Sequence, residues 1–134
     1  RTMRLVLLLG VLIAVSGAPT RLLVGLAQPR GGLETMDRKF WSVSDPDSAE
    51  YGQHVSVDQL AQMVGATTQT VERATLWLES LNASTPTLLR TRDALVADLP
   101  SPPASGRAPA VPESLSDVID YVLLLTEARP AMVP

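Results

Sequence analysis

The chain has 134 residues, 46% of them apolar and 4% aromatic, with a formal net charge of -3 and no cysteine. That length makes one domain the default, and the acidic balance, without any cluster of Lys and Arg, excludes a nucleic-acid partner. Absence of cysteine excludes disulfides, thiolate zinc sites and a cysteine nucleophile, and the lone His54 leaves no ligand set for a catalytic metal.

Arg1 and Arg4 precede an unbroken apolar run over residues 5–15, followed by the small residues Ser16, Gly17 and Ala18. This is the three-part layout of a secretory signal peptide, expected over residues 1–17. The apolar core is about a dozen residues, short of the roughly 20 needed to span a bilayer, so no stable membrane anchor is expected. Asn82-Ala83-Ser84 is an N-glycosylation sequon, and Asn82 is a candidate acceptor if the chain takes the secretory route.

Residues 20–27 are short and apolar and stop at Gln28-Pro29-Arg30-Gly31-Gly32, which predicts a buried strand. From 33 to 43, Leu33, Met36, Phe40 and Val43 recur at helical spacing, with Glu34, Asp37, Arg38 and Lys39 on the other side. Glu34 and Asp37 belong to that solvated face rather than to an acid/base pair. Asp45-Pro46 stops the helix, because a residue before proline is pushed out of the helical region. Asp45 and Asp47 supply too few oxygens for calcium, and Asp45 is better read as capping its own loop. His54, within the same loop region, is a candidate pH sensor.

Ser56-Val57-Asp58-Gln59 has the form of a capping box and starts a short helix. Thr67 or Thr68 caps a third helix carrying Val71, Ala74, Leu78 and Leu81, with Trp77 beside that stripe. Two short strands are expected at 88–91 and 94–99, turning at Arg92-Asp93. Residues 100–112 are rich in Pro, Ala and Ser and read as a flexible linker. In the last segment, residues 113–130, Leu115, Val118, Ile119, Val122 and Leu125 fall on one face of an expected closing helix.

The order Val43-Ser44-Asp45-Pro46-Asp47-Ser48-Ala49-Glu50-Tyr51-Gly52 resembles the V-S-D-P-x-S-x-x-Y-G segment in the activation domain of sedolisins, acid-acting serine peptidases that include tripeptidyl peptidases. The likeness extends to the strand and helix before it, to Trp77-Leu78 in the third helix, and more loosely to the hairpin and closing segment. It implies an α+β, ferredoxin-like domain with an antiparallel sheet, its core at residues 18–99. Between hairpin and closing helix the family has a further helix and strand where this chain has only its Pro/Ala-rich linker, so an incomplete sheet is expected. The resemblance assigns structural roles to Val43, Ser44, Asp45, Pro46, Ser48, Tyr51 and Gly52 in the loop and to Trp77 and Leu78 in the helix.

The family's serine nucleophile, its Glu/Asp pair and its calcium site lie in a catalytic domain that this sequence does not contain. No catalytic residue, metal site or cofactor is therefore expected in this chain, and it is not itself an enzyme. The resemblance implies a propeptide that aids folding of a sedolisin catalytic domain, in cis or in trans, and inhibits it until acid releases it. An extracellular or lysosomal location follows. Two other readings stay open: a free-standing secreted inhibitory module, and a non-functional fragment of a peptidase gene.

Overall fold

The computed structural model describes residues 20–125, so the expected signal peptide lies outside the described residues. Strand β1 (Thr20–Leu26) leads into three helices, α1 (Gly32–Ser44), α2 (Val57–Val64) and α3 (Thr68–Ser80). Strands β2 (Thr87–Leu88) and β3 (Ala94–Leu99) follow, then a 3-10 turn at Glu113–Leu115 and strand β4 (Ile119–Leu125). The local signals account for most of these ends. Ser56 and Gln59 form the reciprocal capping box that starts α2, and the Thr67 hydroxyl accepts from the Thr70 N–H to start α3.

The four strands form one sheet in the order β2-β3-β1-β4, and every neighbouring pair is antiparallel. That is the strand order of a split βαβ, or ferredoxin-like, sheet. Its first crossover, between β1 and β2, carries all three helices. Its second, between β3 and β4, carries no α-helix: residues 100–118 cross there as a Pro-rich segment with a single 3-10 turn.

Alternate residues of the strands build the core. Leu22, Val24 and Leu26 of β1 and Leu95, Ala97 and Leu99 of β3 meet Ala74, Trp77 and Leu78 of α3. Val118 and Ile119 close it at the end of the second crossover, with Val111 and Leu115 partly buried against it. The Pro-rich crossover thus places a few apolar side chains on the core face. Helix α1 packs on α2 rather than on the sheet. Of its expected stripe Val43 is buried and Met36 half-buried, whereas Leu33 and Phe40 are exposed, Phe40 edge-on to Trp41 with ring centroids 5.4 Å apart.

Two expectations change. The strand expected at 88–91 is confined to Thr87–Leu88, because residues 89–93 form the turn, closed by the Arg92 N–H on the Leu89 carbonyl at 2.9 Å. The closing helix over 113–130 is not formed among the described residues: Ile119–Leu125 is a strand, and 126–130 lie outside them. Its apolar residues fit a helical spacing, but β1 offers a second edge whose backbone groups need partners, and β4 supplies them from Arg21↔Leu125 to Leu26↔Ile119. Ile119, Tyr121 and Val122 also favour the extended state. Leu125 therefore faces away from Val122 rather than sharing a face with it.

Candidate functional site

Two features of this framework could meet a partner: the loop that follows α1 and the face of the sheet that the helices leave open. The loop is held by its own backbone and small side chains. Asp45 Oδ1 accepts from the Asp47 N–H at 3.0 Å, and the Ser48 N–H donates to the Asp45 carbonyl at 3.0 Å. The Ser48 hydroxyl accepts from the Glu50 N–H at 3.2 Å, and the Tyr51 N–H donates to the Ser48 carbonyl at 3.1 Å. These are the short-range turns that Asp and Ser favour. The Gly52 N–H then returns to the Val43 carbonyl at 2.9 Å with φ of 74°, a left-handed conformation that disfavours a residue with a Cβ.

Glu50 ties the loop back to α1, accepting from the Ser42 hydroxyl at 2.6 Å and pairing with Lys39 at 3.0 Å. Pro46 and the Ser44 side chain face solvent, and Tyr51 is 57% exposed. His54 is exposed in the extended segment that follows, its N–H on the Gly52 carbonyl. Trp77 and Leu78 lie apart from the loop, buried in the core. Asn82 is exposed just past α3 with φ of 55°, while the hydroxyl of Ser84 in the same sequon accepts from the Asp98 N–H.

The open sheet face follows from strand register. Directly opposed residues share a face, so Leu23 lines up with Val96 on one side and Leu123 on the other, and Arg21 with Asp98 and Leu125. Gly25 stands opposite Tyr121, and a Cβ at Gly25 would overlap the Tyr121 ring. The aromatic ring therefore occupies the space that a side chain at the glycine position would fill, a cross-strand pairing open only to glycine there. A register shift between Gly25 and Leu26 leaves Asp120 as the extra residue of a bulge just before Tyr121. Tyr121, Leu123 and Leu125 are 49%, 48% and 42% exposed.

An antiparallel sheet with one face on a core usually presents polar residues on the other. Here the second face is largely apolar, with Thr87 beside Val96 at one edge and the Arg21–Asp98 pair at its corner as its polar members among the described strands. An exposed apolar patch of this kind marks an interaction surface. Sequence reasoning missed it because residues 119–125 were assigned helical spacing. The signal that finds it is the alternation Tyr121, Leu123, Leu125 against Val122 and Leu124.

Four ion pairs lie at the surface of the described residues: Arg21–Asp98, Lys39–Glu50, Arg73–Asp117 and Arg90–Asp58. Arg73 grips Asp117 through both guanidinium nitrogens at 2.8 and 3.1 Å and donates to the Ser114 carbonyl at 2.6 Å. The guanidinium holds the Asp117 carboxyl below its usual range, Arg21 does the same to Asp98, and the Ser42 hydroxyl followed by Lys39 does so to Glu50. Among the described residues no group of three or more His, Asp or Glu is placed to hold a metal ion, and no helix is long and apolar enough to cross a membrane.

The sign of these shifts sets an acid response. A carboxylate with a depressed folded-state pKa adds stability above its unfolded value and loses it as pH falls through the folded value. Since all three start from ordinary values of 3.8 or 4.5 and move down, the pairs persist in mild acid. The urea midpoint of the domain, followed by fluorescence of the buried Trp77, is expected to stay level from pH 7 to about 5.5 and to fall only below about pH 4. A steady decline between pH 7 and 5.5 would contradict this account.

Parts of this chain are similar to known proteins. Residues 14–101 match the family described as pro-kumamolisin, activation domain. Tripeptidyl-peptidase sed1 of Aspergillus fumigatus is 37% identical over 57 residues, which is 42% of this chain and 8% of that protein's length. The chain thus corresponds to a small part of that relative. With the family match spanning most of the chain and an antiparallel α+β sheet beneath it, this protein belongs to the pro-kumamolisin activation-domain family of serine-peptidase prodomains.

Proposed function

We propose that this chain is the propeptide of a sedolisin-type acid serine peptidase, acting as a folding template and inhibitor of a catalytic domain until acid releases it. The observation that carries this reading is the open apolar face of the sheet, on a chain of the activation-domain family. A prodomain must bury a surface against its peptidase, and a sheet face carrying Leu23 of β1, Val96 of β3 and Tyr121, Leu123 and Leu125 of β4 is suited to that. The Tyr121 ring serves as an anchor, since rigid aromatics cost little entropy on docking. Neither family membership nor geometry favours a free-standing module or a non-functional fragment.

The partner is a sedolisin catalytic domain, in cis or in trans, and the calcium, like the nucleophile, belongs to that partner. The chain itself needs no cofactor. It travels the secretory route to an extracellular or lysosomal destination, with Asn82 accessible for glycosylation on its exposed turn. Asp98 is a poor acid trigger, because Arg21 keeps it ionised into low pH. Release therefore draws on interface carboxylates that lack such a partner inside the prodomain.

The test is inhibition in trans. The chain added to a mature sedolisin is expected to inhibit it near pH 7 and to let it go near pH 4. Equal inhibition at both values, or none at either, would remove the proposal.

A further inference from the structure

The second crossover of the sheet carries no α-helix, is exposed at its centre and half-buried at Ala108 and Pro109, and holds one basic residue. Arg107 is the only Lys or Arg between Ala94 and Leu125. Residues 104–107 are consecutively exposed, and the turn at their centre is closed by the Gly106 N–H on the Pro103 carbonyl at 2.9 Å. The Arg107 N–H adds a 3.3 Å contact to the Ser105 hydroxyl. Both bonds are local, and neither belongs to a helix or a ladder. The other basic side chains from 20 to 125 sit in β1, in α1 or α3, or in short turns whose two ends are held by strands or helices.

A peptidase binds its substrate as extended chain over several residues, so cleavage selects the bond whose surroundings open at least cost. We propose that Arg107–Ala108 is a processing bond for an arginine-directed peptidase, one whose specificity pocket holds a carboxylate for the guanidinium. Ala108, rather than proline, follows the arginine and leaves the bond open to attack. Water adds across the Arg107 carbonyl and the Ala108 nitrogen, leaving a carboxylate on one side and an ammonium on the other.

The cut product is a two-piece domain. Downstream of the bond, β4 remains in register with β1, Val118 remains buried at 1% exposure, and Asp117 remains gripped by Arg73. Processing thus turns a covalent tie between the body of the domain and β4 into a non-covalent one that can later be broken.

Trypsin at low ratio, near pH 7.5, with mass spectrometry of the full chain tests this. The Arg107–Ala108 bond is expected to be cut at least about tenfold faster than any other bond within residues 20–125. The two pieces are expected to co-elute under native conditions and to separate in urea. Arg107→Gln should remove the early cut, and Arg73→Ala should let the cut pieces part without changing where the first cut falls. A first cut elsewhere in 20–125, an unchanged digestion of Arg107→Gln, or cut pieces that separate at once in native buffer would overturn the inference.

Discussion

Leu123→Asp is expected to weaken inhibition of a mature sedolisin at pH 7 by about a hundredfold or more while leaving the domain folded. Leu123 stands in the row Val96, Leu23, Leu123 and is 48% exposed, so its loss removes little from the core. Across an apolar interface the same side chain would be dehydrated. Full burial of a leucine contributes about 1.5–3 kcal/mol, and forcing a carboxylate into that place adds a desolvation cost. About 2.7 kcal/mol already corresponds to a hundredfold change. Leu76→Asp supplies the control: Leu76 is 64% exposed on α3, away from the open sheet face. Inhibition constants for both variants, with circular dichroism to confirm the fold, decide the matter. Undiminished inhibition by Leu123→Asp would take the open face out of the interface.

The second large effect is on the fold. Leu78→Ala is expected to destabilise the domain by about 2–5 kcal/mol, from a total of roughly 5–15 kcal/mol. Leu78 is 0% exposed, and α3 is the helix that packs on β1. Its neighbours in the core, Trp77, Leu22 and Val24, are set by the sheet and cannot collapse fully into the space. In urea unfolding the midpoint should fall by about 1–2 M. An unchanged midpoint would mean that α3 is not seated on the sheet.

Legibility of this protein divides by the range of the interactions. The capping box at Ser56 and Gln59, the Thr67 cap, the stop at Asp45-Pro46 and the left-handed Gly52 involve atoms a few residues apart, and each has a residue-type signature. The three α-helices follow for the same reason, and so does strand β3, whereas the strand expected at 88–91 shrinks to Thr87–Leu88. The loop motif Val43 to Gly52 is local too: Asp45, Ser48 and Gly52 close its turns, and Glu50 returns to Ser42 and Lys39 within the same short stretch.

By itself, then, the sequence determined the family, the three α-helices with the caps at Ser56 and Thr67, and the loop motif, because local hydrogen bonds and steric limits set them. Tertiary structure decided the rest. Ile119–Leu125 had apolar residues that suited either period, and it became a strand because β1, almost a hundred residues earlier in the chain, had an edge to complete. That choice turned Tyr121, Leu123 and Leu125 outward together and laid Tyr121 over Gly25, creating an exposed apolar face opposite the core. A strand has no internal hydrogen bonds, so its partner, and with it the side of the sheet that each residue faces, is known only once the sheet has formed.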